Sequence, residues 1–74
     1  MSAIPDGPIE RDPIEAYRGL TFPQVQLLLD EAVDGLPIGA YDTRILEWLK
    51  GQDQPTIITV ASLLVRARAH QEEQ

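Results

Sequence analysis

Residues 55–69, Pro55-Thr56-Ile57-Ile58-Thr59-Val60-Ala61-Ser62-Leu63-Leu64-Val65-Arg66-Ala67-Arg68-Ala69, decide the fold. At 100° per residue the apolar side chains of this helix cover an arc of roughly 240°. A surface helix ordinarily buries a stripe a little over ~100° wide. A helix this apolar needs cover on more than one side, so it is either central to the fold or half of an oligomer interface. Ile57 and Leu64 fall near the middle of the arc. The remaining stripe is Thr59, Ser62 and Arg66, continued by His70.

Working back from this helix, Asp53 suits its N-cap, and Pro55 is tolerated in its first turn. Arg66, Arg68 and His70 fall in its last turns, where positive charge complements the helix dipole. The tail at 71–74 is polar and expected to fray. Before Gly51, Asp42 is expected to cap a short helix over 43–50. Its inner face is expected to be Ile45, Trp48 and Leu49, joined by Tyr41, with the lone tryptophan mostly buried. Arg44, Glu47 and Lys50 point outward and pair weakly. The connector 35–40 carries helix breakers, and Leu36 and Ile38 are expected to tuck inward.

The helix before it starts clearly. Thr21 and Gln24 have capping-box spacing, and Leu20 can staple to Val25. It runs over 22–34 and stops at Gly35. Phe22, Val25, Leu28, Leu29, Ala32 and Val33 share one face. Leu27 lies off that face, beside Asp30, Glu31 and Asp34. Three acids toward a helix C-terminus oppose the dipole. They and Leu27 form a candidate acidic patch for a basic partner, weighed against an ordinary solvated face. Upstream, Asp12 and Pro13 start a turn over 13–18 that Gly19 ends. So short a helix forms only if Ile14 and Tyr17 dock on the main body. Residues 1–11 hold few bulky apolar side chains and are expected to form a flexible arm.

The fold expectation is therefore all-α: a small three-helix bundle with an extra N-terminal helical turn and a flexible N-terminal arm. The helical domain spans 12–70, and the last helix lies across the other two.

With 74 residues the chain affords one small domain with a marginal core. Without cysteine it has neither disulfides nor thiolate–zinc staples. The net charge is -6. Residues 1–40 hold 7 acids and 2 bases, and residues 41–74 hold 5 acids and 4 bases. Such a chain binds nucleic acid poorly, because phosphate contacts dominate that affinity. The start shows no basic n-region or apolar h-region, and no apolar run approaches the ~20 residues that span a bilayer. A cytoplasmic location without membrane association is the default.

Chemistry is sparse. His70 is the one histidine and there is no cysteine, so no set of metal ligands suggests itself. Ser62 and His70 are about 12 Å apart along one helix, too far for a nucleophile and its base. No phosphate loop occurs. The expectation is no enzyme activity, no catalytic or metal residues and no cofactor. A helix-turn-helix outline over 43–70 offers Thr59, Ser62 and Arg66 to DNA, as the second choice. Against it stand the acidic charge and bases gathered at the wrong end of the helix.

Tyr41-Asp42-x-Arg44-Ile45-x-x-Trp48-Leu49, followed by Pro55-Thr56 and Ser62-Leu63-Leu64-x-Arg66-Ala67-Arg68, resembles a segment of short uncharacterised all-helical proteins of actinobacteria and their phages. The resemblance covers about residues 20–69. It implies an all-helical cytoplasmic protein and carries over no functional residue.

The functional expectation is a non-enzymatic protein–protein interaction module, a small cytoplasmic or phage-encoded accessory protein. The candidate interaction residues are Leu27, Asp30, Glu31 and Asp34 on one helix, and Leu63, Arg66 and Ala67 on another. Because Leu63 and Ala67 edge the apolar arc, a homodimer is expected to close it. The competing arrangement folds Ile14, Tyr17, Leu36 and Ile38 over the edge within one chain.

Overall fold

The computed structural model describes residues 4–72, with side chains through residue 69. Three helices follow a short 3-10 turn at Pro13–Glu15: α1 (Phe22–Val33), α2 (Ala40–Leu49) and α3 (Gln54–Glu72). The protein is a small all-α three-helix bundle with an extra N-terminal turn.

Capping chemistry sets the element starts. Asp12 Oδ1 accepts from the Ile14 amide at 2.9 Å, which starts the 3-10 turn. Glu15 pairs with Arg18 at 2.8 Å on the surface. At α1 the capping box is complete. Thr21 Oγ1 accepts from the Gln24 amide at 3.3 Å, and the Gln24 side chain accepts from the Thr21 amide at 2.8 Å. Pro23 costs nothing there, since first-turn amides have no intrahelical partner. Gly35, at φ +81°, ends α1 in the left-handed conformation that other residues resist.

The core lies between α1 and α3. Val25, Leu28, Leu29 and Ala32 meet Ile57, Ile58 and Ala61, all buried. Tyr17 and Leu20 pack against this cluster from the N-terminal side. Phe22, expected on the inner face of α1, is 37% exposed at its first turn. Ile57 is fully buried as the periodicity predicts, and Leu64 is half-buried. Helix α3 extends from 54 to 72 rather than 55 to 70, so residues 71 and 72 are helical. The His70 side chain and residues 73 and 74 lie outside the described residues.

Two faces differ from the sequence expectation, each for a visible reason. Ser62, assigned to the outward polar stripe, is fully buried. Residues 4 and 5, expected within a free arm, cover it: Ile4 joins the core, and Ser62 Oγ donates to the Pro5 carbonyl at 2.7 Å. A proline-containing stretch is extended and keeps its carbonyl free, so a small hydroxyl can seat it.

Helix α2 is turned relative to its expected face. It begins at Ala40, not Thr43, because Asp42 acts from the third position: its Oδ2 accepts from the Gly39 amide at 3.0 Å. Thr43 Oγ1 adds a bond to the Gly39 carbonyl at 3.1 Å. Leu46 and Leu49, three apart, pack on the core. Trp48 is 62% exposed and Tyr41 71%, so neither is the inner residue expected. Ile45 is exposed as well. The cause is polar. Gln26 Nε2 donates to the Lys50 carbonyl at 2.7 Å, and Lys50 Nζ pairs with Asp30. Both bonds draw the Lys50 side of α2 toward α1, and Leu46 and Leu49 follow it inward. No α2 residue is buried, and α2 makes no extended backbone contact with α1 or α3.

Candidate functional site: an aromatic helix face beside an apolar cleft

Because only Leu46 and Leu49 of α2 reach the core, α2 does not close the space between its N-terminal half and the α1–α3 pair. An open cleft of about 470 Å³ remains there. Val33 and the connector residues Leu36, Pro37 and Ile38 form one wall. Half-buried Val60 and Leu64 of α3 and Leu46 and Leu49 of α2 also line the cleft, and the exposed Tyr41 and Ile45 of α2 stand at its rim. Leu36 and Ile38, expected to tuck inward, stay 38% and 40% exposed. Asp42 is the one charged side chain on the lining, and its Oδ2 is engaged with the Gly39 amide.

The rim continues outward along α2. Tyr41, Arg44, Ile45 and Trp48 recur at three- and four-residue spacing, so they form one stripe. All four are exposed. Large aromatics standing in water on a small domain are the informative exception to ordinary burial. Trp, Tyr and Arg are also the types that dominate interface hot spots. The sequence reading placed three of these four inside. A signal was available in the ratio of surfaces: 40–49 holds Tyr41, Ile45, Leu46, Trp48 and Leu49 on a helix of ten residues, more than so small a core can enclose.

The residues singled out from sequence lie on two helices. On α1, Leu27 is 62% exposed, and Glu31 and Asp34 are exposed. Asp30 holds Lys50, so part of the acidic cluster serves the fold. That bond raises the Lys50 pKa above its ordinary value, with the Asp30 hydrogen bond leading and partial burial opposing. The backbone carbonyls of Ala32 and Asp34 both accept from Arg68 Nη1 at 3.1 Å, so a cation from α3 offsets the dipole at the end of α1. On α3, Leu63 is 53% exposed and Ala67 is exposed. Arg66 is half-buried, and its Nε donates to Ser62 Oγ at 3.1 Å and to the Ser62 carbonyl at 3.3 Å. The buried side of α3 between them, Ser62, belongs to the arm contact.

Among the described residues no three of His, Cys, Asp and Glu converge. No buried side-chain nitrogen or oxygen there lacks a hydrogen-bond partner, so the buried polar groups are engaged in holding the fold. None of the described helices is long and apolar enough to cross a membrane. What the arrangement offers is contact: an apolar cleft, an aromatic rim and one exposed arginine. No family model matches the chain, and neither a curated protein nor a solved structure shows significant similarity to it.

Proposed function

We propose that the protein is a non-enzymatic protein–protein interaction module whose working surface is the α2 stripe and the cleft beside it. The observation that supports this most is the exposure of Tyr41 and Trp48 on the same helix face. Two solvated aromatics flanking an arginine are costly to keep on a surface with no use, and they supply contact area at low entropic cost when covered. The acidic patch around Leu27 is a secondary candidate, since Asp30 already has its partner in Lys50. A DNA-binding role for α3 finds less support: Ser62, in the middle of the stripe such a role would use, lies under Ile4 and Pro5.

The test is affinity capture from an extract of the source cells, with the intact chain as bait beside Trp48→Glu, Tyr41→Glu and Leu27→Glu. The expected result is a protein retained by the unaltered chain and by Leu27→Glu, and lost with both α2 variants. Equal retention by all four baits, or none by any, contradicts the proposal. Retention on heparin that salt releases would favour the DNA reading instead.

A further inference from the structure

The α2 stripe has a property that a surface for an arbitrary partner does not need: it is complementary to itself. In an antiparallel pair of α2 helices related by a two-fold axis between Arg44 and Ile45, position 41 of one copy meets position 48 of the other. Tyr41 then faces the second copy's Trp48, and the reverse holds at the other end. Glu47 lies on the same outer flank as Arg44, three residues on, and both are exposed. In that pair the two Arg44 side chains stand beside each other at the axis, and each has the other copy's Glu47 about 3 Å further along by the ~1.5 Å rise, so two opposite-charge pairs outweigh one like-charge contact. In the single chain Glu47 has only a long ion pair with Lys50, at 3.8 Å.

We propose that the occupant of this face is a second copy of the chain, bound through α2 with each Trp48 laid against the other copy's Tyr41 at the mouth of its cleft. This rests on the interaction reading above and names its partner. The area agrees. The exposed fractions of Tyr41, Trp48, Ile45, Ile38 and Leu36 (71%, 62%, 41%, 40% and 38%) amount to roughly 400 Å² of apolar surface. A stable interface of the smaller kind covers about 600 Å² per partner, with about 65% of it apolar in homodimers. Covering α2 also completes the element the bundle holds least, in a chain of a size that often depends on association.

The experiment is sedimentation equilibrium across a wide concentration range, on the intact chain and three variants whose helicity is first matched by circular dichroism. The intact chain is expected to rise with concentration from 8.2 kDa to twice that mass, with no larger species. Arg44→Glu, which sets acid against acid, should weaken association at least about tenfold. The charge exchange Arg44→Glu with Glu47→Arg should recover it to within about threefold, because each copy again presents both signs. Leu63→Glu, on the exposed edge of α3, should leave association unchanged. A constant single-chain mass at all concentrations overturns the proposal, as does failure of the exchange to recover what Arg44→Glu lost. If the chain is monomeric yet the α2 variants still lose a captured protein, the second copy is wrong and the interaction module stands. If both fail, the interaction reading falls with it.

Discussion

Ser62 and Arg68 show how much of this fold hangs on single polar atoms. Ser62 is a fully buried hydroxyl that anchors the Pro5 carbonyl at 2.7 Å and accepts from Arg66. Ser62→Ala removes the donor and leaves that carbonyl unpaired, so it should destabilise by ~1–3 kcal/mol. Urea titration gives the loss, and proteolysis within residues 4–11 should quicken more than cleavage of α1. Arg68 caps the end of α1 through two carbonyls, one of them exposed. Arg68→Ala should cost about 1–2 kcal/mol, at the lower end for charged hydrogen bonds. An unchanged urea midpoint would show that water replaces the guanidinium there. Neither role is legible in the sequence. Ser62 reads as one more polar residue on an outward stripe, because nothing local says that Pro5, far back in the chain, returns to cover it. Arg68 reads correctly as a C-terminal cation, but its carbonyls belong to α1 rather than to its own helix.

Among the elements, α1 is legible almost residue by residue apart from Phe22, and α3 is legible as the apolar helix of the core but not at Ser62. The Thr21–Gln24 box, the stop at Gly35 and the four buried α1 residues follow from local chemistry and 3.6-residue periodicity, which tertiary packing reinforces. Thr21→Ala should therefore cost ~0.5–2 kcal/mol in thermal or urea unfolding. Helix α2 is legible as a helix and misread as a surface. Its two apolar stripes, Leu46–Leu49 and Tyr41–Ile45–Trp48, compete for the core on hydrophobicity, where the aromatics win. The decision falls to Gln26 and Asp30 of α1, whose bonds to Lys50 are non-local. So lightly held an element should open below the global free energy. Native-state hydrogen exchange should find the α2 amides exchanging faster than the central amides of α1 and α3, and uniform protection across the three would contradict that. Alkaline pH addresses the same tether. Lys50 sits above its ordinary 10.5 through the Asp30 hydrogen bond, and Tyr17 above its ordinary 10.0 through burial. Folded values raised above unfolded ones mean stability that is complete below those ordinary values and lost as pH rises through the folded ones. Melting temperature should thus hold level up to about pH 10 and fall beyond it.

At the scale of the molecule, a core shared by α1 and α3 leaves α2 as a third helix with one face barely docked and the other in water. Leu29, fully buried at the centre, measures how marginal that core is: Leu29→Ala should cost ~2–5 kcal/mol and unfold much of the population near room temperature. The all-α class and the two packed helices are written in periodicity and caps. The working face is not, because whether Trp48 turns in or out depends on the balance between helices rather than on its neighbours in the chain. That orientation carries the proposed function, and Trp48, as the one tryptophan, reports on it alone. The direct measurement is acrylamide quenching of its fluorescence in the Arg44→Glu chain, at a concentration where sedimentation finds a single copy. An outward Trp48 predicts emission typical of a solvated indole, and quenching in buffer nearly as strong as in concentrated urea. Emission shifted to the blue in buffer, with quenching several-fold weaker than in urea, would place Trp48 in the core and contradict an interaction surface on α2.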